Sequence, residues 1–158
     1  METYEFMRIL GERSNRVDRL YYKWAKAHGF SYNVLAVLYV AYKDSASSQK
    51  VVCEEWSLPK QTVNTVCKDL CNRGYLILER SEQDGRETRL VLTEAGKKLA
   101  EPVVTELIDI ETKILESMGV ESVEKLLILF NKFCDEAESR LSASAKEYKA
   151  HVGQQCNT

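Results

Sequence analysis

The sequence is short of the residues from which most catalytic and phosphate-binding sites are built. It has two histidines and seven glycines in 158 residues. No glycine cluster forms a phosphate loop, no nucleophile elbow is present, and neither histidine has a carboxylate pair beside it. Glu54–Glu55 and the Glu136 and Glu138 pair read as solvated helix faces. Enzymatic chemistry and a bound cofactor are therefore not expected. No apolar run approaches the roughly 18 residues of a membrane span. The N-terminal METYEFMRILGERSNRVDRL is charged throughout and lacks the apolar core of a secretory signal. A cytoplasmic protein with no membrane partner is expected. Five cysteines, an odd number without a spacing framework, fit a reducing compartment and free thiols. There are only two prolines, Pro59 and Pro102, so each marks a local event.

One further scarcity concerns a single segment. SLPKQTVNTVCKDL, residues 57–70, has no glutamate, although a solvated helix usually mixes glutamate with lysine. On a wheel of about 100° per residue, Val63, Val66, Cys67 and Leu70 share one face. Gln61, Thr65, Lys68 and Asn72 lie opposite, with Asn64 on the flank. Gln and Asn can pair with adenine edges, Thr can contact a thymine methyl, and Lys can reach guanine or phosphate. A solvated helix that happens to lack glutamate accounts for the same face, so the flanking segments decide.

Those segments form an ordered series. Met7, Leu10, Ser14, Val17, Tyr21, Trp24 and His28 recur at steps of three and four, predicting a helix over 4–28. Phe6, Ile9 and Leu20 broaden its apolar surface, which requires its own core or a second chain. Ser31 is an N-cap candidate for a helix through about Tyr42, with Val34, Leu35, Leu38 and Tyr39 inside. Ser47 or Ser48 caps a short helix, QKVVCEEW, and Pro59 suits the first turn of the next, which ends near Gly74. YLILERS and TRLVLT, joined by EQDGRE, predict a hairpin. Thr93 caps a helix to about Met118 along Val103, Leu107, Ile110, Ile114 and Met118. Pro102 is expected to kink or divide it. A last helix from about Ser122 carries Val123, Leu126, Leu127, Phe130, Phe133, Ala137 and Leu141, and the polar chain from Ser142 is expected to fray.

Helix, turn, helix and hairpin in that order define a winged helix. Its hairpin places Arg86 near the tip and Arg89 on the returning strand. A β-ribbon arginine suits a narrow minor groove, with Asp84 positioned to brace it. Residues 101–141 carry ten acidic and four basic side chains, against a net charge of −2 for the chain. That asymmetry can keep nucleic acid off one region, although on charge alone a chance fluctuation in a solvated helix is the favoured reading.

With PKQTVNTVCKDLCNRGYL, the DGR of the hairpin and LVLTEAGKKL in place, the chain resembles the MarR family of bacterial transcriptional regulators. The resemblance extends to about Leu141. It implies a mainly α fold with a small β-hairpin: a winged helix-turn-helix over 31–100, dimerisation helices over 1–30 and 101–145, and a polar tail over 146–158. It implies a homodimeric repressor on a pseudo-palindromic operator in double-stranded DNA, released by a small, often aromatic, effector. Carried onto this chain, the DNA-contact set is Lys60, Gln61, Thr62, Asn64, Thr65, Lys68, Asp84, Arg86 and Arg89. Tyr21, Trp24, His28 and Tyr39 are the candidate effector pocket, with plain core or dimer packing as the other reading. Ser57 stands where the family's turn usually has Gly, which costs roughly 1 kcal/mol if that residue takes positive φ. Trp56 replaces an aliphatic residue. Thr65 and Gly85 stand where Arg is frequent, so modest affinity is expected.

The alternative is a winged-helix protein-interaction module, or a thiol-responsive regulator, with weak or no DNA binding. Cys67 and Cys71 are four apart, but the other metal-ligand candidates, Cys53, Cys134, His28 and His151, have no zinc-motif spacing. No metal is predicted; Cys67 reads as core and Cys71 as its edge. Cys53, Cys71 and Cys134 are the candidates for a thiol switch.

Overall fold

A computed structural model describes residues 2–45, 47–80 and 88–155. The order is α1 (Thr3–Ala27), α2 (Tyr32–Lys43), α3 (Gln49–Glu55), α4 (Lys60–Asn72), β1 (Leu76–Arg80), β2 (Thr88–Leu92), α5 (Glu94–Met118) and α6 (Val120–Gln155). The chain divides into two compact units, Met1–Ile108 and Asp109–Thr158.

The first unit is built on α2. Leu35, Ala36, Val37, Leu38, Val40 and Ala41 are all buried there, so this helix is apolar nearly all round, as an enclosed helix must be. Val34 and Tyr39, expected inside, are only half-buried. Around α2 lie Val52 of α3, Val63, Cys67 and Leu70 of α4, Leu76, Leu90 and Leu92 of the hairpin, and Ala100 to Leu107 of α5. The strands pair antiparallel, Leu76 opposite Leu92 and Glu79 opposite Arg89. A bridge between Ser48 and Arg89, with Leu90 N–H donating to the Ser47 carbonyl at 2.8 Å, ties the start of α3 to β2.

Local chemistry sets the element ends. Ser31 Oγ accepts from Val34 N–H at 3.2 Å, the N-cap expected for α2. Helix α4 closes with Gly74 at φ 75, the Tyr75 N–H reaching the Leu70 carbonyl and the Gly74 N–H the Cys71 carbonyl. This is a Schellman closure that needs a left-handed residue. Thr93 then joins two elements: its hydroxyl donates to the Gly74 carbonyl at 2.7 Å and accepts from Gly96 N–H at 3.0 Å. Gly96 has a separate reason to be glycine, because a Cβ there would overlap the Tyr75 carbonyl. The Leu-Thr-x-x-Gly signature is thus one joint: Leu92 buried, Thr93 capping, Gly96 admitting backbone.

Two expectations are modified. Helix α5 is a single element from Glu94 to Met118 despite Pro102, so the proline does not divide it. Helix α6 does not stop near Leu141 but runs to Gln155. Ala143, Ala145, Lys146 and Glu147 are good helix formers, and propagation from a long helix needs no new nucleus.

Candidate nucleic-acid interface

Helix α4 divides its two faces as its sequence predicts. Val63, Cys67 and Leu70 are fully buried, whereas Lys60, Gln61, Thr65 and Lys68 are exposed and Thr62 and Asn64 half-buried. Val66, grouped with the apolar face, is half-buried. Pro59 is the N-cap and offers no side-chain acceptor, so the amides of the first turn have no capping side chain. A helix start of this kind carries partial positive charge and suits phosphate. Thr65 Oγ1 donates to the Gln61 carbonyl at 2.9 Å. Its proton is committed to the helix, and its methyl and lone pairs remain for an outside partner.

The turn before α4 holds the expected strain. Ser57 has φ 49 and, among the described residues, is the one non-glycine in the left-handed region. Leu58 N–H donates to the Cys53 carbonyl at 3.2 Å and Trp56 N–H to the Val52 carbonyl at 3.1 Å, so the turn is held from both sides. Lys60 and Asn64 share a cavity of about 600 Å³ with Lys50 and Cys53 of α3 and Leu78 and Thr88 of the hairpin. Lys50 and Gln49, on this side of α3, were not singled out from the sequence; their place beside α4 depends on the α3–α4 packing. Arg89 lies on β2, half-buried. Asp84 and Arg86 lie outside the described residues.

The four aromatic-pocket candidates separate into two groups. Trp24 stacks on His28 with centroids 4.0 Å apart, as residues four apart on one helix can. His28 Nδ1 lies 2.9 Å from the Trp24 carbonyl and Nε2 lies 3.3 Å from Glu106 Oε2. Both ring nitrogens thus face oxygen atoms. Tyr21 and Tyr39 instead meet Trp56, at 6.5 and 5.5 Å. Trp56 is half-buried and also meets Tyr32 at 5.2 Å.

The cysteines fall where their helical positions put them. Cys67 is buried, Cys53 and Cys71 half-buried, Cys134 exposed. Burial, with smaller contributions from Cys71 and Cys53, pushes the Cys67 thiol up to about 12, and burial also raises Cys71. Among the described residues no trio of His, Cys, Asp or Glu is gathered as a metal site.

A short helix, a tight turn, an outward polar helix and a following hairpin are the winged helix-turn-helix of DNA-binding transcription regulators. A family model described as "MarR family" matches residues 28–87. The solved structure of NMB1585, a MarR family regulator from Neisseria meningitidis, is 33% identical and superposes with a TM-score of 0.78, covering 87% of this chain and 97% of that one. SarZ of Staphylococcus aureus, an HTH-type transcriptional regulator, is 25% identical over 118 residues, 75% of this chain and 77% of its own. The structure of S. aureus MepR in complex with DNA is similar in fold, with a TM-score of 0.62 at 16% identity over 86% of this chain and 99% of that one. The chain belongs to the MarR family of transcriptional regulators. Among the described residues, no helix is long and apolar enough to cross a membrane.

Proposed function

We propose that this regulator acts as a homodimeric repressor in the cytoplasm, reading a pseudo-palindromic operator with α4 of each subunit in a major groove. The observation that carries the reading is the division of α4: three fully buried apolar residues on one side, and Lys60, Gln61, Thr65 and Lys68 exposed on the other. Gln61, Asn64 and Thr65 would read base edges, with Lys60, Thr62 and Lys68 at the backbone. Arg86, braced by Asp84, would enter the minor groove and Arg89 would support the wing. Half-sites about one helical turn apart follow from a two-fold dimer.

Exposed apolar side chains support the dimer. Phe6, Met7, Val17 and Leu20 on α1, and Leu126, Leu127 and Phe130 on α6, are all 44% exposed or more. Such a surface calls for a partner. A small aromatic effector would meet two ring clusters, Trp24 with His28 and Tyr21 with Tyr39 around Trp56, and would act by favouring a dimer whose reading helices miss the half-site spacing.

A salt series on an operator-binding isotherm tests the reading. Binding through several phosphates falls steeply and linearly in log–log form, and Arg86→Ala weakens it while the dimer persists. Affinity indifferent to salt would instead mark a protein-interaction module.

A further inference from the structure

A second cavity, of about 280 Å³, opens on the other side of the α3–α4 turn, lined by Asp18, Tyr22, Tyr32, Glu55, Trp56 and Ser57. Three rings form its wall. Tyr22 and Tyr32 stack at 4.3 Å and 15°, and Tyr32 meets Trp56 at 5.2 Å and 58°. Tyr21 and Tyr39 pack edge-on against Trp56 and fix its plane. Among the described residues the lining holds two carboxylates and no basic side chain. Of the basic residues near Asp18 and Tyr22 in sequence, Arg16 and Arg19 do not line it, and Lys23 and Lys26 line a separate cavity that shares Tyr22 and Tyr32 with this one.

Among the described residues neither carboxylate is held by a base, unlike several acids elsewhere on the helices. Glu12, Asp69, Asp109, Glu121 and Glu136 each meet a base four residues away. Asp18 has Ser14 and Tyr22 at those positions, Glu55 has Val51 and Pro59, and neither makes an ion pair among the described residues. Burial, then Asp18, then Tyr22 raise the Tyr32 hydroxyl above its usual range. The Asp18 charge therefore bears on the cavity.

We propose that this cavity binds a small organic cation, of the quaternary ammonium or arylammonium class, seated against Tyr22, Tyr32 and Trp56 with Asp18 and Glu55 supplying the counter-charge. Electron-rich ring faces attract such cations, more so when water is displaced, and the weak hydration of an alkylated ammonium makes displacement cheap. An anion is disfavoured by the same two carboxylates. Asp18 lies about 20° around α1 from Met7 and about 100° from Val17, so the site borders the apolar stripe of that helix. Its inner edge is the strained Ser57 turn that leads into α4. The proposal does not depend on DNA reading by α4.

The test is titration of the full-length protein with phenyltrimethylammonium, by calorimetry and by Trp56 emission in a Trp24→Phe background. Saturable binding below about 10 mM is expected. N,N-dimethylaniline, neutral at neutral pH with nearly the same frame, and salicylate, an anion, should each bind at least about tenfold more weakly. Asp18→Asn with Glu55→Gln should weaken phenyltrimethylammonium by about tenfold or more with unchanged thermal unfolding. Those substitutions sit at exposed positions, so they do not depend on the core tolerating a change. Equal affinity for the neutral or anionic probe, an unaffected double variant, or no saturation overturns the proposal.

Discussion

The two units use apolar residues differently. Every buried hydrophobic side chain among the described residues lies in the first, between Ala25 and Leu107, and the second, from Asp109, has none. Yet the second unit is not polar: Leu126, Leu127, Ile128, Leu129 and Phe130 form an unbroken apolar run, each at least 45% exposed. The winged-helix unit closes its own core, whereas α6 carries the side chains for a core without enclosing one. Helix α5 makes the contrast within one element. Ala100, Val103, Val104 and Leu107 are buried; Ile114 and Met118, on the same stripe, are 51% and 39% exposed.

Substitutions in the two units should therefore differ in kind. Leu38→Ala, in the centre of the first unit, should cost about 2–5 kcal/mol in urea unfolding at any protein concentration. Leu127→Ala should cost less than about 0.5 kcal/mol in dilute protein and weaken self-association in concentrated protein. Comparable losses in dilute protein would break the comparison. Gly96→Ala brings a methyl onto the Tyr75 carbonyl and should cost about 1–3 kcal/mol; a neutral result would show that the α4–α5 joint yields.

Alkaline pH probes the first core from another direction. The ordinary Cys67 value of 9.0 rises to about 12 in the folded protein. Above pH 9 the unfolded thiol loses its proton while the folded one keeps it. Stability therefore falls as pH rises from about 9 to 12, by up to about 1.4 kcal/mol per pH unit. Cys67→Ala should remove that component from the pH-dependence of unfolding. A modest effect of the opposite sign is expected at the turn: Ser57→Gly relieves a left-handed serine and should add about 1 kcal/mol or less. A loss would mean that the Ser57 side chain stabilises the turn more than its backbone strain costs.

Much of the first unit was legible residue by residue. Caps and turns act over three or four residues, so Ser31, Gly74 and Thr93 announced element ends that the structure places within a residue or two. The split face of α4 was legible because buried and exposed positions repeat at the helical period. Other features had no local signal. Lys50 and Gln49 joined the α4 side only through packing. The grouping of Tyr21, Tyr32 and Tyr39 around Trp56 needs three helices at once. Asp84 and Arg86, expected at the wing, lie outside the described residues.

What the sequence determined by itself was periodicity and chemistry: which helices have an apolar face, where each begins, and that the residue ahead of α4 would strain if it turned left-handed. Only the tertiary structure decided which apolar faces are used. Val103 and Ile114 look alike on paper, since both continue one stripe of α5, but one meets a core and the other does not. Burial is a property of neighbours brought from elsewhere in the chain, and a helical repeat does not encode how far those neighbours extend.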